Sequence, residues 1–401
     1  MRDAHFSKRF EWNAPANALA RLVARKQAEG IALNDLTRSN PTRVGLDYPT
    51  AAILAALASP AAMTYRPDPR GLATARQAIA AYYAAQGICV SADALYLTAS
   101  TSEAYAMLFK LLADPADEVL IPVPGYPLLG YLARFEGVSA VAYPCRWDPH
   151  QGWSIDLEVL EALITPRTRA VVVISPNNPT GAYAGPAALA ALDRIARRHG
   201  LALIVDEVFA DYPAPATPAA QTRSALADAG ALTFVLNGFS KMLALPQVKL
   251  GWIAVGGHTD LVRSSGSRLE TLLDFYLSPG TPVQHAAPSL LALRRIIQAQ
   301  VHSRLAANRR LLQQMVGAVS HCRLLPCEGG WYAVLEIDDA LGDEARVLRL
   351  LERHNTLVHP GLFYDFNREG VVVLSLLPPP ETFRAGIDHL IAMDGDAPEG
   401  Y

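Results

Sequence analysis

Apolar residues recur along this chain with two different periods, and the switch between them divides it. Over residues 13–29, Leu19, Leu22 and Val23 repeat at helical spacing and Gly30 ends the pattern, which predicts an amphipathic helix. A proline-bearing loop follows, LTRSNPTRVGLDYP. From about residue 94 short apolar runs alternate with helical segments. The runs are ALYLTAS, EVLIPVP, VSAVAYP, RAVVVIS, LALIVDEVF, LTFVLNGFS and KLGWIAVG, with helical stretches such as 103–112 and 186–198 between them. Near-continuous apolar strands are buried on both faces, and alternation with helices builds βαβ units. The expectation is an α/β fold with a mainly parallel, seven-stranded sheet in a large domain.

Residues 258–318 read as mostly helical, with a break near Pro279-Gly280. After them come strand-like GGWYAVLEI and GVVVLSLL and helical patterns at 344–354 and 381–393, which predict a smaller α+β domain. The expected division is an N-terminal arm and small-domain segment at 1–45, a large domain at 46–285 and a small C-terminal domain at 286–401. There is no internal repeat, and the compositional bias is toward alanine.

Composition narrows the partners. Half of the 401 residues are apolar (51%) and 18% are charged, as a packed globular chain requires. With 35 basic and 38 acidic side chains the net charge is −3, so neither nucleic acid nor an anionic membrane is an expected partner. The longest apolar stretches are too short to span a bilayer, and MRDAHFSKRFEW has no apolar core of a secretory signal. Cys89, Cys145, Cys322 and Cys327 have neither metal-finger nor disulfide-framework spacing. No metal site is expected, and a reducing cytoplasmic compartment is the economical reading.

In open α/β sheets ligands bind at the carboxyl ends of the strands. ALYLTAS ends in Ser100-Thr101-Ser102 before a helix, which taken alone reads more readily as plain N-capping than as a phosphate-binding N-terminus. EVLIPVP ends near Tyr126, an aromatic ring at the rim. RAVVVIS runs into PNNPTG, with Asn177-Asn178 before Pro179. LALIVDEVF places Asp206 after an apolar run, where a carboxylate needs a cation or N–H partner. LTFVLNGFS delivers Ser240-Lys241, and a desolvated lysine becomes a nucleophilic amine. Phosphate cradle, stacking ring, asparagine, aspartate and lysine on five strand ends suit a phosphorylated pyridine aldehyde.

At these residues the chain resembles the fold-type-I pyridoxal-phosphate enzymes of the class I/II aminotransferase kind. The motifs are YRPDPRGLATARQAI, SPNNPTG, IVDEVF and GFSKMLALPQVKLGW, with spacings of 28 from Asn178 to Asp206, 35 to Lys241 and 8 to Lys249. The resemblance implies an aspartate-aminotransferase-like fold and pyridoxal 5′-phosphate as cofactor. It implies transfer of an amino group between an amino donor and a keto acceptor through a Lys241 Schiff base. Asp206 would pair with the pyridine nitrogen, Asn178 with the phenolic oxygen, and Tyr126 would stack on the ring. Ser100, Thr101, Ser102, Ser240 and Lys249 would surround the phosphate. Tyr65 would reach the phosphate of a neighbouring subunit, which implies a homodimer with shared sites. Other reactions on the same cofactor (decarboxylation, elimination, oxidation) share these motifs, and a ligand-sensing non-enzyme of the same fold is the remaining alternative.

Four positions depart from the family pattern. Lys249 stands where arginine is usual, Gly238 where serine is common, and Phe209 where a tyrosine commonly donates to the phenolic oxygen. Val373 occupies the position of the arginine that binds the substrate α-carboxylate. Either another cation meets the carboxylate, with Arg38 and Arg43 flanking SNPT the foremost loop candidates and Arg368 a further one, or the substrate has no carboxylate there; Asn178 is also an expected substrate contact.

Overall fold

Side chains along the central strands alternate between two cores. Val171, Val173, Leu203, Val205 and Val235 face one apolar cluster, while Val172, Ile174, Ile204, Phe234 and Leu236 face another. A period of two with both faces apolar belongs to a sheet covered by helices on both sides. Each fully buried aliphatic side chain there contributes roughly 1.5–3 kcal/mol of burial.

The computed structural model describes residues 5–277, 279–338 and 341–393. Among them the larger sheet has eight strands. In spatial order they are Leu95–Thr98, Gly251–Gly256, Thr233–Gly238, Ala202–Asp206, Thr168–Ile174, Glu118–Val123, Ser139–Asp148 and Gly152–Ile155. The seven expected strands are all present. The eighth, Gly152–Ile155, extends the edge as a hairpin with Ser139–Asp148. Only Gly251–Gly256 and this hairpin strand run against the rest. The carboxyl ends of the other six strands therefore share one edge, the place where ligands bind in such sheets.

Local chemistry sets the helix ends. Pro186 opens the helix Pro186–His199 and Gly200 closes it in the left-handed region. Ser100 caps Thr101–Leu112 by accepting from the Glu103 N–H at 3.1 Å, and the Glu103 carboxylate accepts from the Ala99 N–H.

A smaller antiparallel sheet follows the long helix Arg294–Val316. Its strand order is Cys322–Leu324, Tyr332–Ile337, Val371–Ser375 and His359–Pro360. The N-terminal segment joins this part: Asn34–Asp35 pairs in parallel with Thr356–Leu357, and Lys26 Nζ donates to Asn355 Oδ1 at 2.7 Å. Two contacts tie the parts together. The edge hairpin sets Trp147 and Trp153 against the apolar face formed by Val334, Val371 and Val373. The loop after Asp206 clasps the segment before Tyr332, with Ala214 N–H donating to Glu328 O at 2.7 Å and Gly330 N–H to Tyr212 O at 2.9 Å. Among the described residues no helix is long and apolar enough to cross a membrane.

Candidate active site

At the shared strand edge lies a cavity of about 180 Å³. Seven of the expected residues line it: Thr101, Ser102, Tyr126, Asn178, Asp206, Ser240 and Lys241. Larger concavities exist, one of about 790 Å³ between the helix Arg294–Val316 and the strand Cys322–Leu324. The smaller one holds the convergent polar groups and the displaced pKa values, and that marks the chemistry.

Asp206 ends its strand buried. Burial raises its pKa to about 6, against the pull of a Val208 N–H at 3.1 Å, the Tyr105 hydroxyl at 3.0 Å and the Lys241 charge. It is a carboxylate short of a cation. The next residue, Glu207, is spent on the scaffold: its carboxylate accepts from the Ala225 N–H at 2.8 Å, and burial pushes its pKa to about 7.

Lys241 sits on a single helical turn between two adjacent antiparallel strands. Burial lowers its pKa, and Asp206 opposes that shift. Its Nζ lies 5.6 Å from the Phe209 ring centre and 5.4 Å from that of Trp331. The turn is clamped from behind. Tyr212 donates its hydroxyl to Lys241 O at 2.8 Å, and Gln298 Nε2 donates to Met242 O at 3.0 Å. A held backbone aims a long side chain repeatably into the cavity.

The paired asparagines divide their work. Asn177 Oδ1 accepts from Thr180 Oγ1 at 3.0 Å and its Nδ2 donates to Pro124 O at 3.3 Å, so it builds the turn. Asn178 is 7% exposed, lines the cavity, and has a buried Oδ1 without a partner. Gly238 is explained by space: a Cβ there would stand 2.9 Å from Leu250 O, so the strand pairing leaves no room for a serine. Gly251 likewise lets its strand pass the helix start, where a Cβ would stand 3.2 Å from Thr101 N.

Other expected residues lie outside the lining. Ser100 spends its side-chain oxygen on the helix cap. Lys249 is exposed, with a left-handed backbone at φ 55°. Tyr65 is 68% exposed in this single protomer. Arg38 and Arg43 are both exposed, and Arg38 Nε stands 3.7 Å from Asp35 Oδ2. Arg368 pairs with Glu336 and lies 5.7 Å above the Trp153 ring. Val373 is buried beside Val334 and Val371. The lining also includes residues the sequence reading passed over: Ser39, Tyr105, Ile174, Val208 and Tyr332. Tyr105 was the findable one, since it stands four residues after Thr101 on the same helical face.

A profile described as "Aminotransferase class I and II" matches residues 37–384. The chain belongs to the class I and II aminotransferase family. Its relatives in that family include an alanine aminotransferase of Mycobacterium tuberculosis, 32% identical over 92% of this chain and 87% of the relative. Another is a glutamate-pyruvate aminotransferase of Escherichia coli, 29% identical over 85% of each. Among solved structures, an aminotransferase from Escherichia coli superposes with a TM-score of 0.85 at 27% identity, covering 98% of this chain and 99% of that one. The alanine aminotransferase from Pyrococcus furiosus gives 0.86 at 25% identity, covering 98% and 100%. This aminotransferase therefore shares its whole architecture with them, not only the motifs around Lys241.

Proposed function

We propose that the protein is a pyridoxal 5′-phosphate-dependent aminotransferase that moves an amino group from an amino donor to a keto acceptor. The observation that carries this reading is the pairing, in one small cavity, of a buried carboxylate short of a cation and a half-buried amine with a lowered pKa. The residues fit the cofactor. Asp206 would face the pyridine nitrogen and keep it protonated, Asn178 the phenolic oxygen, and Tyr126 the ring. Thr101 and Ser102 offer hydroxyls and free N–H groups at the start of a 12-residue helix, and Ser240 adds a hydroxyl, which suits the phosphate. Lys249 supplies positive charge from outside the lining.

When bound, the cofactor supplies an aldehyde and an electron-withdrawing ring. Lys241 holds it and then, freed by substrate, takes the proton from the substrate Cα through Nζ. The lowered pKa keeps that amine neutral in a larger fraction of molecules, as a base requires. The Phe209 and Trp331 rings stand beside that amine. Elimination, decarboxylation or oxidation would begin from the same contacts, and the names of the relatives favour transamination.

We place this enzyme in the cytoplasm as a homodimer. Among the described residues none of the four cysteines is joined in a disulfide, which suits a reducing compartment. Leu54, Met63 and Tyr65 are exposed large apolar side chains on one segment, Met63 at 88%, and a second copy would cover them. A spectral half-reaction screen tests the function: the loaded protein, mixed with amino acids and simple amines, should lose its visible band and release the matching carbonyl product. Release of carbon dioxide or ammonia in stoichiometric amounts instead would assign one of the alternative reactions.

A further inference from the structure

We infer that Tyr105 is a positioning residue of the reaction: its phenol holds one oxygen of Asp206 and so keeps a proton on the cofactor's pyridine nitrogen. This rests on the proposed function and deepens it.

The two oxygens of Asp206 have different donors. Oδ1 accepts from the Val208 N–H at 3.1 Å, a bond within its own loop. Oδ2 accepts from the Tyr105 hydroxyl at 3.0 Å, a bond that crosses from the helix Thr101–Leu112 to the strand end. One donor on each oxygen fixes the plane of the carboxylate as well as its place. An ionised carboxylate has lone pairs to spare, so a ring N–H can still be accepted.

The register of that helix is informative. Its first turn offers Thr101 and Ser102 to the phosphate, and Tyr105 stands one turn further on, four residues after Thr101. One rigid element therefore meets the cofactor at its phosphate and, through Asp206, at its ring nitrogen. Ser100 caps the helix, and the Tyr105 ring is 2% exposed, its centre 5.9 Å from that of Phe109. A side chain locked by packing aims its polar tip repeatably. A buried tyrosine needs some acceptor, and a backbone carbonyl can serve, as Val172 O does for Tyr143 at 2.8 Å. Tyr105 gives its proton instead to the anion of the cavity lining.

The consequence is one of basicity. With the cofactor seated, one proton lies between the ring nitrogen and Asp206, and the more basic partner keeps it. A hydrogen bond donated to a carboxylate stabilises the charged form and makes it the weaker base. Burial works the other way, raising the carboxyl pKa to about 6 against the Val208 N–H, Tyr105 and Lys241. Tyr126 in the lining and Glu207, next along the chain, are the other ionisable groups near this carboxylate. Tyr105 remains a donor throughout, because burial and Asp206 push its own pKa well up. Without that donor Asp206 becomes the stronger base, takes the proton from the ring nitrogen, and so removes the charge that draws electrons from the substrate.

Nitrogen NMR of the full chain, loaded with pyridoxal 5′-phosphate labelled at the ring nitrogen, reads the proton's place directly. In wild type the resonance should lie at the pyridinium position. Tyr105→Phe keeps the ring and removes the donor. It should shift the resonance toward neutral pyridine and lower turnover roughly tenfold, the equivalent of a one-unit rise in the carboxyl pKa. Replacing Tyr105 by para-aminophenylalanine, a weaker donor of the same shape, should give a smaller shift in the same direction, and it carries the test alone if Tyr105→Phe does not fold or load. A resonance that stays at the wild-type position in these variants would mean that Tyr105 only packs; the inference falls and the aminotransferase reading stands. A neutral-pyridine resonance already in wild type overturns it as well. A wild-type protein that takes up no cofactor fails the proposed function itself, and this inference with it.

Discussion

The two walls of the cavity are built differently. The large-domain wall is a row of strand ends, each giving one group with strong chemistry: Thr101 and Ser102, Tyr126, Asn178, Asp206, and Ser240 with Lys241. The opposite wall comes from the N-terminal segment and the small-domain sheet, and among the described residues it offers only Ser39 and Tyr332. The first wall is rigid and charged, the second neutral and assembled across two parts of the fold. A sheet with buried backbone holds catalytic groups to the tolerance that chemistry demands, while loops and a second domain can be varied to suit the substrate. The contrast suggests a division of labour, with cofactor recognition on the sheet and substrate recognition on the facing wall.

The sharpest way to break this contrast is to strip the charged wall. Lys241→Ala should lower turnover by at least about 10⁴-fold, because it removes both the covalent attachment point and the base. Steady-state assays decide it, and activity within tenfold of wild type would end the assignment.

Asp206→Asn comes next, with two opposite effects. Turnover should fall by roughly 10³-fold, as expected when a buried charge that polarises the reacting group is lost. Stability of the cofactor-free protein should rise. The folded carboxyl has its pKa raised to about 6 from a reference of 3.8, so its stabilising contribution is full below pH 4 and is lost as pH climbs through 6. At pH 7 the ionised group costs on the order of 3 kcal/mol, the free-energy equivalent of that shift. Urea unfolding at pH 4 and pH 7 should show the Asn variant gaining on wild type only at the higher pH. A constant difference between the two would mean that Asp206 already has a cation partner.

The shared-site question extends the contrast to a second subunit. Inactive Lys241→Ala and inactive Tyr65→Ala protomers, once exchanged into mixed dimers, should recover up to about a quarter of wild-type activity, since one site in each mixed dimer is intact. Absence of recovery after proven exchange would confine Tyr65 to the surface of its own protomer. The smallest expected effect is at Phe209. Phe209→Tyr adds a donor near the phenolic oxygen, and one hydrogen bond of about 1 kcal/mol should lower the pH midpoint of the visible band by somewhat under one unit. A rise in the midpoint would reverse the argument.

The charged wall was legible in the sequence because a strand end is a local feature. An apolar run followed by Asp206, or by Ser240 and Lys241, places those side chains at a sheet edge whatever the rest of the chain does. The same locality misled for Ser100, whose hydroxyl reads alike as a phosphate ligand and as the cap that it provides here. Tyr332 carried no such signal. It reaches the site only because residues 328–330 are hydrogen-bonded to the loop after Asp206, a contact more than a hundred residues distant in sequence. Strand Gly152–Ile155 was hidden for another reason: three of its residues are half-buried and Ser154 is exposed, so no apolar run marks them. Val373 was noticed as a departure, but that Trp147 and Trp153 fill the space around it belongs to tertiary packing.

The central claim is that Lys241, in a cavity shared with Asp206, is where the cofactor is held. Borohydride reduction of the loaded protein, followed by peptide mass mapping, addresses it directly. One reduced cofactor per chain is expected, fixed to the peptide that contains Gly238 through Lys249 and located at Lys241. A label on any other lysine, or no label on a protein that remains active, would contradict it.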